Sequence, residues 1–166
     1  GVRALAVQAD VGSKAQVEAM FEQVERELGP VEILVNNAGI APFESFMKVS
    51  EQTWDRTINT NLKGMFLCSQ RAAAGMIERK YGKIINILST ASLVVTSPIA
   101  VHYLASKGGA HMLTKAMAIE LGKHNINVNG VGPSTTDTDL CAEYLADPRI
   151  RQQEIEANPM KRLGTA

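Results

Sequence analysis

"VEILVNNAG", residues 31–39, places an apolar run directly before a polar turn. Val31 to Val35 reads as a strand buried in a sheet covered on both faces, because its branched side chains do not alternate with polar ones. Asn36, Asn37, Ala38 and Gly39 then end the strand with turn-forming residues. The flanking segments decide which kind of sheet this is. Upstream, Val17, Met20, Phe21, Val24 and Leu28 recur at helical spacing, with Ser13 placed to cap the helix and Gly29-Pro30 to stop it. Before that helix, residues 4–9 (ALAVQA) form a short apolar strand candidate ending at Asp10. Downstream, a long helical region breaks near residues 58–61 and runs to about Arg79. "KIINIL" (83–88) is the next strand. Helix 103–122 follows, with Ala110, Leu113, Met117 and Leu121 on one stripe, and "INVNGV" (126–131) is the last clear strand. Strands alternating with helices predict an α/β fold, a doubly wound parallel sheet with helices on both faces. The chain contains no linker or internal repeat, so residues 1–166 read as one domain.

Composition narrows the function. The formal net charge is zero, which gives no electrostatic reason to bind nucleic acid or an anionic membrane. The apolar runs are too short to cross a bilayer. Cys68 and Cys141 lack metal or redox spacing and read as buried, reduced thiols of a cytoplasmic protein. His102, His111 and His124 are scattered, so a metal site is not expected.

The carboxyl ends of the strands carry the chemistry. They deliver Asp10, then Asn37 to Gly39, then Ser89-Thr90, then Gly132-Pro133-Ser134. In an open parallel sheet, ligands bind in the crevice outside those ends. "VHYLASKGG" (101–109) begins a helix on the same side, where Tyr103 and Lys107 share a face at i and i+4. A neighbouring ammonium favours phenolate, so the pair is suited to exchanging a proton with an alcohol. Gly108 and Gly109 weaken a helix interior, which points to close approach of another helix.

"LVNNAG", "NTNLKG", "INILST", "YLASK" and "GPSTTDTD", in this order and spacing, resemble the short-chain dehydrogenase/reductase family, and the likeness covers nearly the whole chain. The resemblance implies a Rossmann-type sheet and hydride transfer between NAD or NADP and a carbonyl or secondary alcohol. It implies Tyr103 as general acid/base and Lys107 as the residue that lowers its pKa and holds the nicotinamide ribose. Ser89 would orient the substrate oxygen, and Asn61 would hold a relay water. Asp10 and Val11 would meet the adenine. Asn37, Ala38 and Gly39 would flank the adenosine ribose and the middle of the cofactor. Pro133, Thr136 and Thr138 would hold the carboxamide. Ser134 stands where the family has glycine. Thr90 is the alternative to Ser89, and alignment through Asn86 favours Ser89.

The resemblance also implies a homodimer or homotetramer built on helix 103–122, and a lid formed by Leu140 to Met160. The thirteen glycines include no phosphate-binding G-x-x-x-G-x-G or G-x-G-x-x-G turn. The family's strand order is 3-2-1-4-5-6-7. By that order residues 4–9 are strand 3 and residues 31–35 strand 4, and the first two strands and the last are expected to be missing. The sheet edge at "VEILV" is then open and aggregation-prone. An epimerase or dehydratase using the same tyrosine and lysine, and a non-catalytic nucleotide-binding or subunit-pairing remnant, are the alternative functions.

Overall fold

The computed structural model describes residues 1–95, 97 and 99–166. Its elements are α1 (Lys14–Leu28), β1 (Ile33–Asn36), α2 (Glu51–Ile58), a π-helical segment (Asn59–Lys63), α3 (Gly64–Arg79), β2 (Gly82–Ile87), α4 (Val101–Gly122), β3 (Ile126–Val131), β4 (Thr136–Asp137), α5 (Pro148–Ala157) and β5 (Gly164–Thr165). The strands β1, β2 and β3 form a parallel sheet in that order, with Leu34 beside Ile84 and Ile84 beside Val128. The two short strands β4 and β5 pair separately.

The α/β architecture is as read from the sequence, with one difference. Leu34, Ile84, Ile126 and Val128 join a core with Val17 and Phe21 of α1, Leu67, Cys68, Ala72 and Met76 of α3, and Leu121 of α4. These helices therefore cover one face of the sheet. The opposite face carries no helix among the described residues, and Ile33 and Val35 are 59% and 51% exposed there. The expected burial of "VEILV" on both faces is thus corrected: apolar side chains are buried only where something packs on them, and β1 is also an edge strand.

Residues 4–9 form no strand, because no ladder partner lies beside them. The long helical region starts only at Glu51. There Ser50 accepts the Thr53 amide at 3.0 Å, a side-chain cap that Ser13 does not make at the start of α1. The break expected near residues 58–61 is the π-helical segment, a wider turn inserted between α2 and α3.

A polar chain crosses the buried interior. Asn36 Nδ2 donates to Ser69 Oγ at 2.9 Å and to Asn86 Oδ1 at 2.8 Å. Asn86 Nδ2 donates to Thr114 Oγ1 at 2.9 Å, which donates to the Ala110 carbonyl at 2.7 Å. Every buried side-chain polar atom in it has a partner, so the network ties α3, β1, β2 and α4 together at little desolvation cost. A Cβ on Gly109 would stand 2.8 Å from Leu62 Cδ2, so this glycine allows α4 to approach the π-helical segment closely. The same addition at Gly108 meets nothing within 4 Å.

Candidate active site

The site forms where β2 and β3 end. Leu88 N still donates to the Val131 carbonyl at 2.7 Å, and Thr90 N donates to the Pro133 carbonyl at 3.0 Å, so the two loops stay side by side. Ser89 Oγ accepts from Ala91 N at 3.1 Å, turning the chain away from the sheet. The chain returns through Ala100 into the first turn of α4. There Tyr103 and Lys107 point into the same cavity as Ser89.

This cavity has a volume of about 420 Å³. Of the residues singled out in the sequence, Asn37, Gly39, Ser89, Tyr103, Lys107, Pro133, Thr136 and Thr138 line it, as does Thr90. Four others do not. Asp10 Oδ1 accepts from Gly12 N at 2.8 Å and so stabilises its own turn. Val11 packs against the core, with a methyl facing Gly64. Ala38 stays outside the cavity wall. Asn61, 1% exposed, joins the loop after β1 to α4: its Nδ2 donates to the Ile40 carbonyl at 2.9 Å and to Ser106 Oγ at 3.0 Å, and its Oδ1 accepts from Ile40 N at 2.8 Å.

Electrostatics at the pair differ from the sequence expectation. Lys107 Nζ donates to the Ile87 carbonyl at 2.7 Å and lies 5.7 Å from the centre of the Tyr103 ring. Burial, which disfavours the ammonium, pulls Lys107 down to about 8. Burial pushes the Tyr103 phenol above its ordinary value, and the Ser89 hydroxyl works in the opposite direction. Desolvation thus sets the direction, and the opposing cause is the Ser89 hydroxyl rather than the lysine. Tyr103 holds its proton at neutral pH while Lys107 remains charged.

Phe43, Cys141, Tyr144 and Glu154 also line the cavity. The Phe43 and Tyr144 rings stack at 4.6 Å between centroids. Cys141 is only half-buried, unlike the fully buried Cys68, and both thiols are free. The sequence carries little sign of these positions, since Phe43 and Tyr144 lie far apart in the chain. The segment containing Cys141, Tyr144 and Glu154 is nevertheless the expected lid, and it does border the cavity.

The family model for short chain dehydrogenases matches residues 1–149. The chain is 38% identical over 164 residues to the 5-keto-D-gluconate 5-reductase of Escherichia coli K12, covering 99% of this chain and 64% of that protein. It is also 38% identical to the 3-oxoacyl-(acyl-carrier-protein) reductase of Staphylococcus aureus, covering 99% of this chain and 65% of that one. Among solved structures, a gluconate 5-dehydrogenase from Burkholderia cenocepacia in complex with NADP and tartrate superimposes with a TM-score of 0.90 at 35% identity, over 94% of this chain and 61% of its own. A short-chain type dehydrogenase/reductase from Mycobacterium marinum reaches 0.93 at 36% identity, over 99% and 65%. The chain thus spans about two thirds of the length of such relatives. Motif order, sheet order and these matches agree: the chain belongs to the short-chain dehydrogenase family.

Proposed function

We propose that this chain forms the catalytic part of an NAD- or NADP-dependent oxidoreductase acting on a carbonyl or secondary alcohol. The observation that carries the reading is the convergence of Ser89, Tyr103 and Lys107 on one cavity at the sheet's carboxyl edge. The residues present fit a nicotinamide dinucleotide. A Cβ at Gly39 would meet Asn61 Oδ1 at 3.5 Å and Lys107 Nζ at 3.9 Å, ordinary contact distances that put the loop after β1 beside the ammonium. Lys107 would hold the ribose hydroxyls, and Thr136 and Thr138 the carboxamide. When bound, the reduced nicotinamide supplies the hydride.

The chain's own groups manage the oxygen. In reduction, Ser89 donates a hydrogen bond to the carbonyl oxygen, and Tyr103 transfers its phenolic proton there as the carbonyl carbon is reduced. The Lys107 charge then stabilises the phenolate left behind. Oxidation of an alcohol runs these transfers backwards. Asn61 acts as a brace beside Lys107 in this reading, and the adenine side is assigned to Asp10 and Val11.

Two further parts of the proposal follow from α4 and the cysteines. Gly108 opens to space, and Met112 and Ile119 are 63% and 85% exposed, which suits pairing of two copies along this helix as a dimer or tetramer. Two free thiols suit the cytoplasm. No described helix is long and apolar enough to cross a membrane.

Isotope transfer tests the reaction class. Full-length protein carrying this chain is incubated with ketones and NADPH or NADH deuterated at the transferring position. The expected product carries one deuterium on the carbinol carbon. Reduction without deuterium at that carbon, or no reduction of any ketone, would overturn the proposal.

A further inference from the structure

One wall of the cavity comes from α5 and the loop before it, remote from Tyr103 in sequence. Glu154 of α5 is fixed there at both oxygens. Oε1 accepts from the Tyr144 hydroxyl at 2.9 Å and Oε2 from Thr135 Oγ1 at 2.6 Å. A carboxylate offers about four lone-pair directions, so each oxygen can still accept from a further hydroxyl. Thr135, Thr136, Thr138 and Ser97 add neutral polar groups to the lining.

Positive charge is scarce. Among the described residues, the one cation lining the cavity is Lys107, whose Nζ donates to the Ile87 carbonyl. No arginine among the described residues reaches the lining. Arg149 and Arg151, on the same helix as Glu154, instead pair with Asp147 and Asp137, each at 2.8 Å. A carboxylate-bearing substrate would therefore face a fixed like charge at this wall.

We propose that Glu154 makes this cavity select uncharged, hydroxyl-bearing carbonyl substrates and reject their carboxylate counterparts. The inference rests on the oxidoreductase reading above and deepens it. It also separates this chain from two proteins that it resembles, one named for 5-keto-D-gluconate and the other solved with tartrate, both of which are anions. Tyr144 supplies a second sign of the carboxylate's reach. Its phenol is pushed up to about 12, by burial first and then by the hydrogen bond and charge of Glu154.

The test compares a ketohexose with the keto-hexonate of the same chain length, in full-length protein with NADPH or NADH. Wild type is expected to favour the ketohexose in kcat/KM by about tenfold or more, as a like charge across a partly solvated cavity requires. Glu154→Gln keeps the side chain's length and shape and removes the charge. It should narrow the preference by about tenfold or more, as KM falls for the keto-hexonate and rises for the ketohexose, whose hydroxyls lose a charged acceptor. Tyr144→Phe keeps both the charge and the ring stack, so the preference should persist. Calorimetric binding of the two sugars reads the same discrimination where turnover is slow. A wild-type preference for the keto-hexonate, or a Glu154→Gln preference equal to wild type, would overturn the role of Glu154 while leaving hydride transfer intact. Absence of hydride transfer to any carbonyl compound would overturn the oxidoreductase reading itself.

Discussion

The two faces of the sheet have similar side chains and different fates. On one face, Ile84 and Ile126 are 0% and 2% exposed beneath α1, α3 and α4. On the other, Ile33 and Val35 remain more than half exposed, although they are as apolar. Strand identity follows from local sequence, because branched residues fit a pleated surface. Burial depends on what packs against that surface, which a strand's own residues do not encode. The site belongs to the covered side of this contrast. Tyr103 and Lys107 are held by a helix that packs on β3 and on the π-helical segment. The residues expected at the adenine end, Asp10 and Val11, stand outside the cavity, Asp10 in its own turn and Val11 packed against Gly64.

Substitutions at the packed end should have the largest effects. Lys107→Met should lower turnover about 10²-fold or more, since the phenolate loses its counter-charge. The same variant should change the pH dependence of stability. The folded state holds Lys107 near 8 against 10.5 for the free side chain, so the unfolded chain binds more protons between these values. Wild-type stability should therefore rise as pH increases from about 8 to 10.5, by at most about 3 kcal/mol, and Lys107→Met should lack this rise. A flat wild-type profile, measured by denaturant titration across that range, would contradict the buried ammonium.

Ser89→Ala should reduce kcat about 10²-fold and Thr90→Ala less than tenfold. The opposite ranking would move the orienting hydroxyl to Thr90. Within the sheet, a Cβ on Gly82 would stand 2.9 Å from Met76 Cβ and closer still to its Sδ and Cγ. Gly82→Val should then destabilise by about 1–3 kcal/mol through overpacking. At the bare face, Ile33→Thr combined with Val35→Thr in the 166-residue chain should change stability by no more than about 0.5 kcal/mol, while increasing the monodisperse fraction in size-exclusion chromatography. Equal costs at Gly82 and at this pair would erase the distinction between the faces.

The sequence was most legible where periodicity and burial coincide. Strand 126–131, the helix carrying Tyr103, and the break between α2 and α3 lie where the residues placed them. Residues 4–9 show the converse: their apolar run implies a strand, yet a strand exists only in a ladder. At the site, helical spacing suffices to bring Tyr103 and Lys107 to one face, and the loop after β2 brings Ser89 to them. The Tyr103 proton affinity was not legible, because burial raises it and the Lys107 nitrogen is turned to the Ile87 carbonyl. Glu154 was not legible either. A charged residue on a polar helix reads as solvated until Thr135, far off in sequence, is placed beside it.

Proton donation by Tyr103 is the central step of the proposed reaction, and Tyr103→Phe tests it most directly. The ring and its packing stay while the transferable proton is lost. In full-length protein, kcat should fall about 10²–10⁴-fold, with cofactor affinity and the circular dichroism spectrum unchanged. Turnover within a few-fold of wild type would contradict the assignment.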